Sequence, residues 1–403
     1  MKYVVVLGDG MADWPIEQLG NKTPLEIAKK PHIDSLAKIS EVGLVKTVPD
    51  GLKPGSDVAN LSVLGYDPKV YYSGRSPLEA ASIGIDLKET DITARANLVT
   101  LSDEEVFEDK TMIDYSAGEI STEEAKELIT YLASKLNTDE LKLYSGVSYR
   151  HCLVIDNGKI AGDLTPPHDI TGKPIKEHLP TSTVGALYLE LMKKSVELLK
   201  DHPININRVK LGKNPATSLW FWGEGTKPKL DLFYEKFGVK GAMISAVDLL
   251  KGIAKLTGMK NIEVDGATGN WDTNFIGKAQ ACVNALKDGA DLVYIHMEAP
   301  DECGHQGNLE KKIYSIEQIS EVVVKYLIEE LPKLNDDFSI LILPDHPTPI
   351  KVKTHISDAV PYLIYRSNVK QNGADAYTEI DALNSKITVP VGHDLMKKFI
   401  NNY

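Results

Sequence analysis

The sequence predicts an α/β architecture: a mostly parallel sheet with helices on both faces, interrupted by a smaller inserted α+β domain. Three observations lead there. Short apolar runs alternate with longer stretches of helical spacing at both ends of the chain. Three of those apolar runs deliver an acidic residue just where they stop. The middle third carries short strand-like pieces around long helical segments instead. Alternating strands and helices select a sheet covered on both faces, and in such sheets ligands gather beyond the carboxyl ends of the strands.

Taken in order, "KYVVVLGDG" (2–10) reads as a strand followed at once by Asp9 between two glycines. "TPLEIAKKPHIDSLAKIS" (23–40) has helical spacing interrupted by Pro31, and "GLKPGSDVANLSVLGYDP" (51–68) opens on a Gly/Pro-rich loop. In the middle, "TARANLVTLS", "VSYRHCLVID" and "TSLWFWGEG" read as strands, and "TSTVGALYLELMKKSVELLKDH" (181–202) as a long helix. These set the expected organisation: residues 1–76 and 230–403 form one discontinuous domain, and 77–229 the insertion. Later, "GAMISAV" (241–247) reads as a buried strand and "DLLKGIAKLTG" (248–258) as a helix ending at Gly258. "NFIGKAQACVNALKDG" is a further helix and "ADLVYIHM" a strand leading to Asp301. "IYSIEQISEVVVKYLIEELPKL" (313–334) reads as one long amphipathic helix, and "FSILILPD" as a strand ending at Asp345.

Composition narrows the class. At 403 residues the chain exceeds one ordinary core. A net charge of −12 argues against nucleic acid or an anionic membrane as partner. No apolar run approaches the ~20 residues needed to cross a bilayer, and the first apolar run is too short for a secretion signal. Three cysteines without paired spacing fit a reducing compartment, so a cytoplasmic location is expected. No interface patch is legible, and the oligomeric state stays open.

The polar residues at strand ends form a constellation: Asp9, Ser56, Asp301, His305, Asp345, His346 and His355. Asp301 and His305 are four apart, so a helical turn puts both on one face. Three carboxylates, three imidazoles and a hydroxyl suit two divalent ions with mixed O/N ligands, Mn²⁺ foremost, with Mg²⁺, Co²⁺ or Zn²⁺ also compatible. Two such ions serve phosphoryl transfer, and Ser56 in its Gly-rich loop is the expected nucleophile. Any one of these residues alone is ordinary: an Asp after a strand is often a helix cap, and a Ser in a Pro-Gly-Ser loop is usually turn chemistry.

At these positions the chain resembles the alkaline phosphatase superfamily, and within it the cofactor-independent phosphoglycerate mutases of archaeal type and their bacterial relatives. "GDGMAD", "KPGSDVANLSVLGYDP", "YYSGRSPLEAASIGIDL", "GATGNWDTN", "PDECGHQG" and "PDHPTP" carry the resemblance over nearly the whole chain. It implies one metal held by Asp301, His305 and His355, and a second by Asp9, Ser56, Asp345 and His346. It also implies interconversion of 3- and 2-phosphoglycerate through a phosphoserine, without bisphosphoglycerate. The inserted domain would hold this small phosphorylated hydroxy acid, through Arg75, Arg95, Arg150, His151 and His168; Lys251, in the sheet domain, is either a further phosphate contact or, the preferred reading, part of a solvated helix face. Arginine forks match carboxylate and phosphate. Asp169, or His168 beside it, is the expected acid/base. Val58, Asn60 and the "GRSP" run also resemble a bacterial subgroup with a proposed homoserine-kinase-like role, which leaves another acceptor hydroxyl, or plain phosphatase chemistry, as alternatives.

Overall fold

The computed structural model describes residues 1–401. In chain order its strands are β1 (Lys2–Gly8), β2 (Glu41–Val45), β3 (Ile92–Leu101), β4 (Met112–Asp114), β5 (Leu141–Tyr144), β6 (Arg150–Ile155) and β7 (Ser218–Thr226). There follow β8 (Gly241–Ile244), β9 (Lys260–Ile262), β10 (Leu292–Met297), β11 (Phe338–Leu343), β12 (Val360–Arg366) and β13 (Thr388–Val389). The chain forms two compact units, residues 1–72 with 229 onward, and Ser73–Pro228.

The first unit is built on an eight-stranded sheet of order β13-β2-β12-β11-β1-β10-β8-β9. It is mostly parallel; β12 alone runs against its neighbours β11 and β2. The three central strands read as continuous apolar runs because both faces are covered: every residue of β10 and β11 is buried, as is β1 from Tyr3 onward. Their register decides the rest. Leu7 of β1 lies opposite His296 of β10 and Leu343 of β11. The three strands therefore stop side by side, about 5 Å apart, and whatever follows each of them converges.

Flanking helices include Ser56–Val63, Asp248–Leu256, Phe275–Lys287 and Ala299–Gln306. Pro31 splits the first helical stretch into Pro24–Ile27 and Pro31–Ala37 by occupying a helix start, where its missing N–H is no loss. The expected single helix over 313–334 is instead four pieces: Leu309–Gln318, a π-helical segment Ile319–Val324, Lys325–Glu330 and a 3₁₀ turn Leu331–Leu334. The wider segment lets Ile319, Ser320, Val323 and Val324 all turn inward. Ser320 Oγ there accepts from the backbone N–H of His32 (3.2 Å), at the start of the Pro31–Ala37 helix.

The second unit has an antiparallel sheet in which β3 pairs with β4, β6 and β7, and β6 with β5. Helices Thr122–Leu136 and Gly185–Leu199 contribute to its separate core. The helix expected from residue 181 starts at Gly185 because the Asp163 carboxylate accepts the Thr181 and Ser182 N–H groups, and Ser182 Oγ accepts that of Gly185.

Candidate active site and metal centre

The ends of β1, β10 and β11 bring together all seven residues of the constellation. Asp9 follows β1 and its N–H donates to Met297 O at the end of β10 (3.0 Å). Asp301 and His305 lie on the helix Ala299–Gln306 just past β10. Asp345 and His346 follow β11, and both are fully buried. Ser56 opens its helix, and His355 comes from the loop beyond Pro347.

His346 Nε2 is the hub. It lies 3.2 Å from Ser56 Oγ, 3.3 Å from Asp345 Oδ2 and 3.6 Å from Asp9 Oδ1. Ligand atoms of Asp9, Asp345 and His346 fall within 4.8 Å of one another, as do those of Asp301, His346 and His355. His305 joins the second group: its Nε2 is 3.2 Å from Asp301 Oδ2 and 2.9 Å from His355 Nε2. His346 is thus near both groups, not the first alone.

The electrostatics of the cluster suit divalent cations. Burial, then the neighbouring charges of Asp345 and Asp301, push the Asp9 carboxyl well above its ordinary range. Its Oδ1 is buried without a hydrogen-bond partner. Burial pulls the His346 imidazole down. Asp301 goes the other way: although burial alone would raise it, hydrogen bonds from His305 and His355 hold it well below the carboxylate range. His305, against the effect of burial, is raised to about 9 by Asp301. Two imidazole nitrogens facing each other, crowded carboxylates and an orphaned buried oxygen are relieved together by divalent cations. The donor set fits such ions.

Supporting residues that the sequence reading missed hold these groups in place. His296, inside β10, puts Nε2 2.9 Å from Asp9 Oδ2, with Ser245 Oγ 3.2 Å from its Nδ1. Burial depresses His296 to about 3, so it is a neutral imidazole. Asn60 Nδ2 donates to Asp345 Oδ2 (2.8 Å) and to Ser56 O (2.9 Å), and Tyr294 OH donates to Asn60 Oδ1 (2.7 Å). Thr348 Oγ1 donates to Asp301 Oδ1. A histidine within "LVYIHM", and an asparagine four residues after Ser56 on the same helix face, were the available signals.

The second unit carries its own charged cluster. Glu79 is paired with Arg75 (Nε–Oε1 2.9 Å) and Arg95 (Nε–Oε2 3.0 Å), the second out of line for a hydrogen bond. Burial works against the Glu79 charge, yet Arg95, Arg75 and Arg150 hold its pKa below the ordinary value. Arg95 stacks on Trp222, with Cζ 4.5 Å from the ring centre, and Arg150 on Tyr149 at 5.1 Å. Buried His151 accepts the Gly146 N–H at Nδ1 (3.1 Å). Its proton therefore sits on Nε2, a buried donor with no partner. Burial and the Arg95 and Arg150 charges lower His151 to about 3. The His168 ring packs edge-on to Trp222 and Tyr115, and its Nε2 is 3.7 Å from Asp169 Oδ1. Lys251 pairs with Glu263 (2.9 Å) and makes no ion pair with the seven residues of the first unit's cluster.

The family model described as 2,3-bisphosphoglycerate-independent phosphoglycerate mutase matches residues 37–205. A 2,3-bisphosphoglycerate-independent phosphoglycerate mutase of Methanosarcina barkeri is 49% identical over 398 residues, 98% of each chain. A solved Pyrococcus horikoshii structure superposes with TM-score 0.81 at 31% identity, covering 100% of this chain and 98% of that one. The cofactor-independent phosphoglycerate mutase of Thermoplasma acidophilum gives TM-score 0.61 at 26% identity, covering 100% and 99%. With near-half identity sustained from end to end, this chain belongs to the family of 2,3-bisphosphoglycerate-independent phosphoglycerate mutases.

Proposed function

We propose that the protein interconverts 3-phosphoglycerate and 2-phosphoglycerate without bisphosphoglycerate, through a phosphorylated Ser56. The observation that carries this reading is Ser56 Oγ lying 3.2 Å from the hub nitrogen of a buried carboxylate–imidazole cluster. Asp301, His305 and His355 would hold one divalent ion and Asp9, Ser56, Asp345 and His346 a second, with His346 near enough to serve either. Such ions, Mn²⁺ foremost, lower the pKa of a coordinated hydroxyl and offset charge on phosphoryl oxygens.

Ser56 is the first residue of its helix, where the helix dipole favours negative charge on Oγ and on an arriving phosphate. Attack forms the Oγ–P bond and breaks the P–O bond to one glycerate hydroxyl, whose oxygen takes a proton. The second hydroxyl gives up its proton as it takes the phosphoryl group back. His168 and Asp169 are the pair assigned to moving that proton. Arg75, Arg95 and Arg150, kept charged around Glu79, would hold the carboxylate, and the Nε2–H of His151 would donate to the same ligand.

The test supplies 3-phosphoglycerate and Mn²⁺ to purified protein, without bisphosphoglycerate, and detects 2-phosphoglycerate through enolase. Turnover is expected in the wild type and absent in Ser56→Ala, while Arg150→Ala should raise KM at least tenfold. Phosphate release without 2-phosphoglycerate would make the protein a hydrolase and refute the mutase reading.

A further inference from the structure

We infer that Lys312, paired with Asp13, is a positioning residue that clamps together the three chain segments carrying the proposed metal ligands. The inference rests on the two-metal reading above. Lys312 lies on the helix Leu309–Gln318, which follows directly on the helix of Asp301 and His305, and its side chain is fully buried. Its ammonium donates to Asp13 Oδ2 (2.8 Å), to the Thr348 carbonyl (2.8 Å) and more weakly to the Ala12 carbonyl (3.4 Å). Ala12 and Asp13 belong to the segment leaving β1 past Asp9, and Thr348 to the segment leaving β11 past His346.

Further bonds close the clamp. Asp13 Oδ2 also accepts the Ile350 N–H (3.1 Å), and the Thr348 N–H donates to Ala12 O (3.3 Å). The Thr348 hydroxyl reaches the Asp301 carboxylate and lies 3.3 Å from His346 Nδ1. One ammonium therefore holds the chain three and four residues past Asp9 and two residues past His346, and sits on the helix next to that of Asp301 and His305. An ion pair buried this deeply adds little stability over a well-packed apolar pair. What it does add is direction: three acceptors from two segments meet at one nitrogen, which fixes where each segment stands relative to the others.

The experiment titrates Mn²⁺ by calorimetry into full-length wild type, Lys312→Met, Asp13→Asn and the double variant. Thermal unfolding of the same proteins is measured in EDTA. Lys312→Met alone should unfold at lower temperature, since it strands a buried carboxylate. The double variant should regain most of that loss yet bind Mn²⁺ about 10–100-fold more weakly, the usual effect of losing the groups behind metal ligands. A double variant with wild-type Mn²⁺ affinity overturns the clamp. If it does not fold, Asp13→Ala, which removes the acceptor shared by Lys312 and the Ile350 N–H, carries the test: weakened binding supports the clamp and unchanged binding overturns it. A wild type that binds no Mn²⁺ defeats the two-metal reading, and the clamp with it.

Discussion

Asn60→Ala probes how the helix of Ser56, the proposed nucleophile, is tied to the proposed metal ligands. Asn60 is completely buried, and its amide joins three groups: Ser56 O, Asp345 Oδ2 and the Tyr294 hydroxyl. Alanine leaves the carboxylate oxygen and the phenol without this partner, at about 1–3 kcal/mol each. The Ser56 carbonyl keeps its backbone bond within the helix and adds little. The expected loss is therefore about 4 kcal/mol, large for one substitution. Tyr294→Phe removes one hydroxyl and should cost about 1 kcal/mol. Once that hydroxyl is gone, Asn60→Ala no longer orphans it. The double variant should then be more stable than the sum of the singles by about 1–2 kcal/mol. Urea unfolding of the four proteins in EDTA measures this coupling. An additive cycle, within ~0.5 kcal/mol, would refute the network, and a single-variant loss below ~1 kcal/mol would show the buried groups find water.

Three further outcomes follow from the site and its surroundings. Gly10 has φ +61°, and a Cβ there would lie 2.6 Å from Asp301 Oδ1 and 2.7 Å from Asp301 Cα, so Gly10→Ala should unfold well below Gly20→Ala. At Gly20, φ is +68° but nothing lies within 4 Å, so only the left-handed backbone is penalised, at about 1 kcal/mol; equal melting temperatures would show that the Asp301 segment has room to yield. His151, held near 3 in the folded chain, stays neutral where the unfolded chain protonates below about 6.5. The unfolded state gains its proton first as pH falls, so this contribution is intact above pH 6.5 and declines towards pH 3, by about 2 kcal/mol at pH 5. Unfolding free energies of His151→Gln between pH 7 and 5 should fall less steeply than wild type by that amount, and parallel slopes would count against the neutral imidazole. Finally, EDTA should abolish turnover and Mn²⁺ restore it, while activity indifferent to chelation would remove the metals from the reaction.

Much of the first unit was legible because parallel strands covered on both faces are nearly pure apolar runs, as in "VVVLG", "LVYIHM" and "ILIL". Because adjacent parallel strands end together, Asp9, Asp301 and Asp345 could be grouped before any coordinates. Strands β2 and β13 were not legible: β2 contains Gly43, and β13 has only two residues, so neither leaves a periodic signal. The π-helical segment escaped because an inserted residue does not break an apolar pattern that remains inward-facing on both sides. His296 and Asn60 escaped for another reason. Single polar residues within a buried strand or helix usually only satisfy each other, and only the geometry shows that these two reach Asp9 and Asp345. Glu79 was hidden similarly, since its two arginines lie four residues away on one helix turn and sixteen residues away in β3.

The placement of β1 at the centre of the sheet also bears on how the chain is made. Its hydrogen-bonding partners β10 and β11 begin at Leu292 and Phe338, so residues 9–291 separate the end of β1 from the start of its first partner. At about 5–20 residues per second, a ribosome takes roughly 15–60 s to supply that partner. Residues 73–228 are contiguous and are all synthesised within that interval, so the second unit's core can form while the first strand still waits. A bare "VVVL" segment, rich in β-branched residues, is exposed to wrong pairing throughout. The strand that places Asp9 thus leaves the ribosome long before either of its partners and is among the last to be shielded.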